Sequence, residues 1–137
     1  MKKRGFGSGK YNGTGGKVEE GESAEDAVPR EAYEEINIKA GKKNIEKISK
    51  INFFFTAKSE WNQEVHVFVI KKWIGEPAET EEIRPKWFSF KEIPFDKMWK
   101  DDPYWFNLML EGKKFEADFW FDKDNESVKD YKIKEIK

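Results

Sequence analysis

An α+β fold, with a mixed sheet packed by helices, is what this 137-residue sequence predicts, on three observations. Residues 23–37 carry apolar and charged side chains at helical spacing. Several later runs, rich in Phe, Ile and Val, alternate with the two-residue period of strands, and turn-forming residues separate them. The length suits one domain over residues 1–137, built on a single core.

The elements follow in order. Residues 5–16 are glycine-rich and read as an irregular loop: either a flexible tail or a segment that brings backbone groups against a ligand. Ser23 is an acceptable helix start, with Glu25 and Asp26 favourably placed against the positive end of the helix dipole. Along this helix Arg30, Glu31, Glu34 and Glu35 share an arc of about 140°, whereas Val28, Ala32, Tyr33 and Ile36 lie opposite and form the predicted packing face. Pro29 lacks an N–H, so it is expected to kink the first turns or delay the regular helix to residue 28 or so. Asn37 can adopt the left-handed conformation that closes the helix.

Beyond a Lys-rich loop at 41–44, strands are predicted over Ile48–Ala57 and Val65–Trp73, and a short one over Lys86–Phe90. Pro103 suits the first turn of a helix over Tyr104–Glu111, with Trp105, Leu108 and Met109 available for packing. Two last strands, Lys114–Phe121 and Val128–Glu135, flank the turn Asp122-Lys123-Asp124-Asn125.

Composition narrows the function classes. The 26 basic and 27 acidic residues nearly cancel, so no net field favours a long nucleic acid. With no cysteine, neither a disulfide framework nor a thiolate metal site is available. No apolar run is long enough to span a bilayer, and Met1-Lys2-Lys3-Arg4 leads into glycines instead of an apolar signal region; a cytoplasmic protein with no membrane partner is the expectation.

The acidic helix is the first candidate site. Glu31, Glu34 and Glu35 form either a solvated face or a set of oxygen donors for a hard divalent ion such as Mg²⁺, with Mn²⁺ as the alternative. Arg30 could orient one of these carboxylates by a bidentate contact. Trp99-Lys100-Asp101-Asp102 is the second. Two adjacent acids can form a polar turn and helix cap, or enter one shielded pocket where repulsion and desolvation raise at least one pKa and allow a shared proton. Such a pair would offer both acceptor and donor to a purine edge, and Trp99 could stack on the ring.

From Gly16 the chain reads G-x5-E-x7-R-E-A-x-E-E-I-N-I, which resembles the signature of the Nudix hydrolases at every fixed position except the late glycine, here Asn37. The resemblance implies a Nudix-type α/β/α sandwich in which a loop-helix-loop motif binds a diphosphate through divalent ions. Carried onto this chain, it implies metal-binding and water-activating roles for Glu31, Glu34 and Glu35, with Glu35 the principal ligand. It also implies a backbone carbonyl ligand from Gly16, a further ligand from Glu82, an organising role for Arg30 and a stabilising one for Glu22.

Further stretches are similar to the branch of that family acting on oxidised purine nucleoside triphosphates: Lys2-Lys3-Arg4-Gly5-Phe6-Gly7, Asn12-Gly13, Val65-His66-Val67-Phe68, Arg84-Pro85, Ile93-Pro94-Phe95, and Met98-Trp99 followed by Asp101-Asp102. What this implies is Mg²⁺-dependent hydrolysis of modified purine nucleoside triphosphates to monophosphate and pyrophosphate. Asn12, Asp101 and Asp102 would meet the base edge, Phe53 and Trp99 would flank the ring, Phe6 and Phe55 would complete the wall, and Lys17 joins the substrate-binding set. Each of these aromatics has core packing as its alternative.

The pattern lacks the family's first strand region, so the domain reads as shortened at its N-terminus; a monomer is expected unless a partner strand compensates. Gln63 stands where an apolar pocket residue is expected, which bears on base preference. His66 reads as a hydrogen-bonded structural residue on its strand. The rival functions are hydrolysis of another nucleoside diphosphate derivative and noncatalytic nucleotide binding.

Overall fold

The structure, a computed structural model, describes residues 1–3, 9–11, 21–81 and 83–136. They form two α-helices, α1 (Ala24–Ile36) and α2 (Asp102–Leu110), and four strands, β1 (Ile45–Phe55), β2 (Gln63–Ile70), β3 (Lys114–Phe121) and β4 (Val128–Ile136). The strands make one sheet in the order β2-β1-β3-β4, with β1 parallel to β3 and β3 antiparallel to β4, so the sheet is mixed as expected. By contacts the chain groups into two compact units, Met1–Glu46 with Ile70–Met98, and Lys47–Val69 with Trp99–Lys137. No helix of the described residues is long and apolar enough to cross a membrane.

In the first unit, the Ser23 hydroxyl caps α1 by accepting from the Asp26 N–H at 3.1 Å. The regular helix starts at Ala24, not near residue 28, and continues through Pro29. At its far end Asn37 sits at φ 61°, ψ 34°, and its N–H reaches the carbonyls of Ala32 and Tyr33, the left-handed closure the sequence predicted. Glycine adopts that conformation without a Cβ penalty, so Asn37→Gly is expected to stabilise the protein by about 0.5 kcal/mol in urea denaturation. A loss of stability would show that the Asn37 side chain matters more than its backbone.

The packing face of α1 differs from the predicted one. Ala27, Glu31 and Ala32 are buried, while Tyr33, assigned to the packing side, is 52% exposed. The buried stripe is rotated toward the acids because Arg30 neutralises and hydrogen-bonds them, which lets Glu31 leave water.

The second unit holds a core of Ile48, Ile51, Phe55, Trp105, Phe115, Ala117, Phe119 and Phe121. β3 explains its position: Phe115, Ala117, Phe119 and Phe121 alternate inward, and the parallel register sets them beside Ser49, Ile51, Phe53 and Phe55. On the opposite sheet face the Asn52 side chain donates to Asp118 at 2.9 Å, and Phe54 stacks on Trp120 at 5.3 Å. α2 lays Trp105 against Phe115, with ring centroids 6.0 Å apart. β4 is an edge strand whose Lys129, Lys132 and Lys134 are exposed, a composition that discourages edge-to-edge pairing.

The bounds of two strands are corrected, and one predicted strand is not formed. β1 runs over Ile45–Phe55 instead of Ile48–Ala57 and ends where the Phe55 N–H turns to the Asn62 side-chain oxygen at 2.6 Å. β2 ends at Ile70, not Trp73, because the Lys71 N–H donates to Asn44 O and Ile74 bridges to Lys39. Lys86–Phe90 is not a strand: Trp87 and Phe90 are 69% and 70% exposed, and Phe90–Glu92 forms a single 3₁₀ turn. Aromatic content favours strands only where a pleated, half-buried surface receives it.

Candidate functional site

In the first unit Arg30 is the hub of the acidic motif. Its Nε and Nη2 donate to the two carboxylate oxygens of Glu22 at 2.9 and 3.0 Å, a bidentate pair. Nη1 donates to Glu34 at 2.9 Å, one helical turn on, and Nη2 also reaches Glu31 at 3.4 Å. One planar guanidinium thus fixes three carboxylates, two of them with side chains only 16% and 12% exposed. Glu34 remains 56% exposed.

The C-terminal turn of α1 is tied to the following loop. Thr80 Oγ1 donates to the Glu35 carbonyl at 2.8 Å, and the Ala78 N–H donates to Ile36 O at 3.0 Å. These bonds hold the backbone that carries Glu35.

Arg30, Glu31, Glu34 and Glu35 therefore lie together on one helix, with Glu22 bound to it through Arg30. Gly16, Lys17, Phe6, Asn12 and Glu82 lie outside the described residues. Among the described residues no three acidic, histidine or cysteine side chains converge at metal-ligand spacing. The donor chemistry nevertheless suits a hard cation, since Glu22, Glu31, Glu34 and Glu35 all offer carboxylate oxygen. A cavity of about 220 Å³ in this unit has Ile36, Pro77, Pro85, Lys86 and Trp87 as its described lining, none of them an expected site residue.

The second unit holds the acid pair. Asp101 and Asp102 are each 3% exposed, so the surface-turn alternative does not hold. Nor is Asp101 a side-chain cap for α2; its Oδ2 instead accepts from the Trp105 indole N–H at 2.8 Å. The Asp102 N–H donates to Trp99 O at 3.1 Å, and Asp102 Oδ2 is buried with no hydrogen-bond partner among the described residues.

Burial pushes Asp101 up to about 6, with the indole hydrogen bond opposing the rise. Burial first, and the neighbouring Asp101 charge second, push Asp102 up to about 8. Both groups bind protons more tightly folded than unfolded. Stability is therefore fully present below the ordinary aspartate value of 3.8 and is lost as pH rises through about 6 and then about 8. Denaturation midpoints measured from pH 4 to 9 should fall along this course, and Asp102→Asn should flatten it. A midpoint that rises across this window in the wild type would contradict the assignment.

Around the pair, Trp99 sets an edge against Phe55 at 6.3 Å and Phe121 at 6.1 Å. Phe55 is 3% exposed and stacks on Phe121 at 4.7 Å, so it lies behind Trp99 as core. Phe53 and Trp99 are only partly buried, and Phe53 is backed by Phe119 and Phe121, each at 6.0 Å.

Three contributors were missed from sequence. Trp105 was assigned only to packing, although its i, i+4 spacing from Asp101 was a usable signal once both lie on a helix. Phe121 was visible as the last inward residue of the β3 alternation. Trp61, edge-on to Phe55 at 5.7 Å with the Lys58 ammonium 4.2 Å from its ring centroid, carried no signal. His66 lies on β2, but its Nδ1 is buried without a hydrogen-bond partner among the described residues, so the expected hydrogen bonding is not found at that atom.

Comparisons with known proteins bear on both units. The oxidized purine nucleoside triphosphate hydrolase of Mus musculus is 43% identical over 136 residues, covering 99% of this chain and 85% of the relative. The protein of the same name from Danio rerio is 44% identical over 136 residues, with the same coverage. A crystal structure of the mutator MutT protein from Bacillus halodurans shares the fold at a TM-score of 0.79, across 91% of this chain and 82% of that one, with 24% identity. Since the family model described as NUDIX domain matches residues 1–109, which include the whole acidic helix and the Asp101-Asp102 pair, this chain belongs to the Nudix family.

Proposed function

We propose that this Nudix protein hydrolyses oxidised or otherwise modified purine nucleoside triphosphates to the monophosphate and pyrophosphate, with Mg²⁺ as cofactor. The observation that carries the reading is the buried Asp101-Asp102 pair beside Trp99, because two carboxyl groups sharing a proton match the adjacent acceptor and donor of a purine edge. The identity to two oxidized purine nucleoside triphosphate hydrolases supports the same substrate class.

In this reading Glu31, Glu34 and Glu35, with the Gly16 carbonyl and Glu82, hold the divalent ion, and Glu35 is its principal ligand. The ion would supply polarisation of phosphoryl oxygens and neutralisation of the charge that develops on them. Arg30 keeps Glu22, Glu31 and Glu34 in place, and the helix carboxylates take the proton of the attacking water. One phosphorus–oxygen bond forms to that water and the one between the α- and β-phosphates breaks, releasing pyrophosphate. Lys17 contacts the substrate, and Asn12, Asp101 and Asp102 bind the base edge. Trp99 and Phe53 flank the ring, Phe6 completes the wall and Phe55 supports Trp99 from behind.

The test is incubation of the folded protein with Mg²⁺ and a panel of oxidised, methylated and unmodified purine triphosphates, quantifying monophosphate and pyrophosphate separately. Equimolar products with preference for modified purines are expected. Purine binding without Mg²⁺-dependent turnover would replace this reading with that of a nucleotide-binding module.

A further inference from the structure

The chain has no cysteine, so no thiol takes up an oxidant first, and one-electron oxidation falls on methionine and the electron-rich rings. Of the four tyrosines, Tyr11 meets Phe88 edge-on and Tyr33 lies under the Lys39 ammonium, whereas Tyr104 and Tyr131 meet each other. Their ring centroids are 4.6 Å apart, with 48° between the ring planes.

The fold of the second unit holds this pair. Tyr131 lies opposite Phe119 in the β3–β4 register, and Tyr104 reaches over the same ring from the first turn of α2. Each tyrosine centroid is 6.0 Å from that of Phe119, which is fully buried and forms a fixed floor. The tyrosines themselves are 45% and 46% exposed, so small oxidants reach both and the rings have room to turn. Packing over Phe119 needs two aromatic rings; it does not need two phenols side by side, and only a phenol carries a hydroxyl proton to lose with its electron.

We infer that Tyr104 and Tyr131 form an oxidative cross-linking site, at which one-electron oxidants such as hydroxyl radicals join the two rings as dityrosine and staple α2 to the edge strand β4. Each phenol gives one electron to the oxidant and its hydroxyl proton to water, which leaves a tyrosyl radical. The two radicals pair as a carbon–carbon bond between ring positions ortho to oxygen. The hydrogen on each joined carbon then leaves as a proton while each oxygen takes one back, restoring both phenols. In sum the protein loses two hydrogens and two hydroxyl radicals become water. The new bond closes the chain between residues 104 and 131 into a loop, which lowers the entropy of the unfolded state. Neither ring belongs to the proposed catalytic or base-binding set.

The test treats dilute folded protein with a peroxidase and hydrogen peroxide, and reads dityrosine by fluorescence of the monomer band on a denaturing gel and by mass. The monomer should lose two hydrogens, and proteolysis should yield one pair of peptides joined through Tyr104 and Tyr131. Oxidation of the exposed Trp73 and Trp87 adds oxygen instead and is separated by mass. Tyr104→Phe and Tyr131→Phe keep both rings over Phe119 and should each abolish the monomer signal, while Tyr33→Phe should retain it. Oxidised wild type should melt about 10 °C above equally oxidised Tyr104→Phe. Peptide mapping of the wild type decides the linkage even where a variant does not fold. Dityrosine found only between molecules, a monomer signal that survives Tyr104→Phe, equal yield from urea-unfolded protein, or equal melting temperatures would each overturn the inference.

Discussion

Glu35→Gln should lower kcat for the preferred triphosphate by about two to three orders of magnitude, while nucleotide affinity changes by less than about threefold. The substitution is nearly isosteric, and the backbone that carries residue 35 is held by the Thr80 hydroxyl bond to its carbonyl, which an amide side chain leaves intact. What disappears is a charged oxygen donor for a hard cation and a group able to receive a proton. Single-turnover kinetics beside calorimetric nucleotide binding separate the two effects. Asp101→Asn should behave oppositely, altering purine preference more than kcat, because it changes the edge-reading pair. Equal losses of affinity and turnover in both variants would defeat this division of labour.

Phe119→Ala should cost about 3–5 kcal/mol of stability, the largest effect expected from a single core truncation here. Phe119 is fully buried, and its ring lies 6.0 Å from those of Phe53, Tyr104 and Tyr131. Those neighbours come from β1, α2 and β4, so no single backbone shift can close the void around all three. Urea denaturation should show a lower midpoint at an unchanged slope. A loss below about 1 kcal/mol would mean that the aromatic row across the sheet collapses onto the gap.

Local chemistry decided how much of this was legible beforehand. The limits of α1 were readable because Ser23 and Asn37 act on their own neighbours, and β3 and β4 were readable because alternation and the turn between them lie in contiguous sequence. The packing side of α1 was not, since the Arg30 guanidinium partners Glu31 as it leaves water; charge alone placed it in water. The Lys86–Phe90 segment failed for the complementary reason, as its aromatic residues found no surface to cover them. In the site, the ordered acids named the helix and the paired aspartates named the pocket candidates. The indole that distinguishes those aspartates emerged only when α2 brought residues four apart onto one side.

The parallel pairing of β1 with β3 also governs how the protein is made. Asn52 meets Asp118 across 66 positions of chain, so a ribosome must deliver all the intervening residues before the middle of the sheet can close. Until then the Phe-rich β1 has no β3 partner and waits as adhesive surface, the kind of exposure through which a nascent chain aggregates.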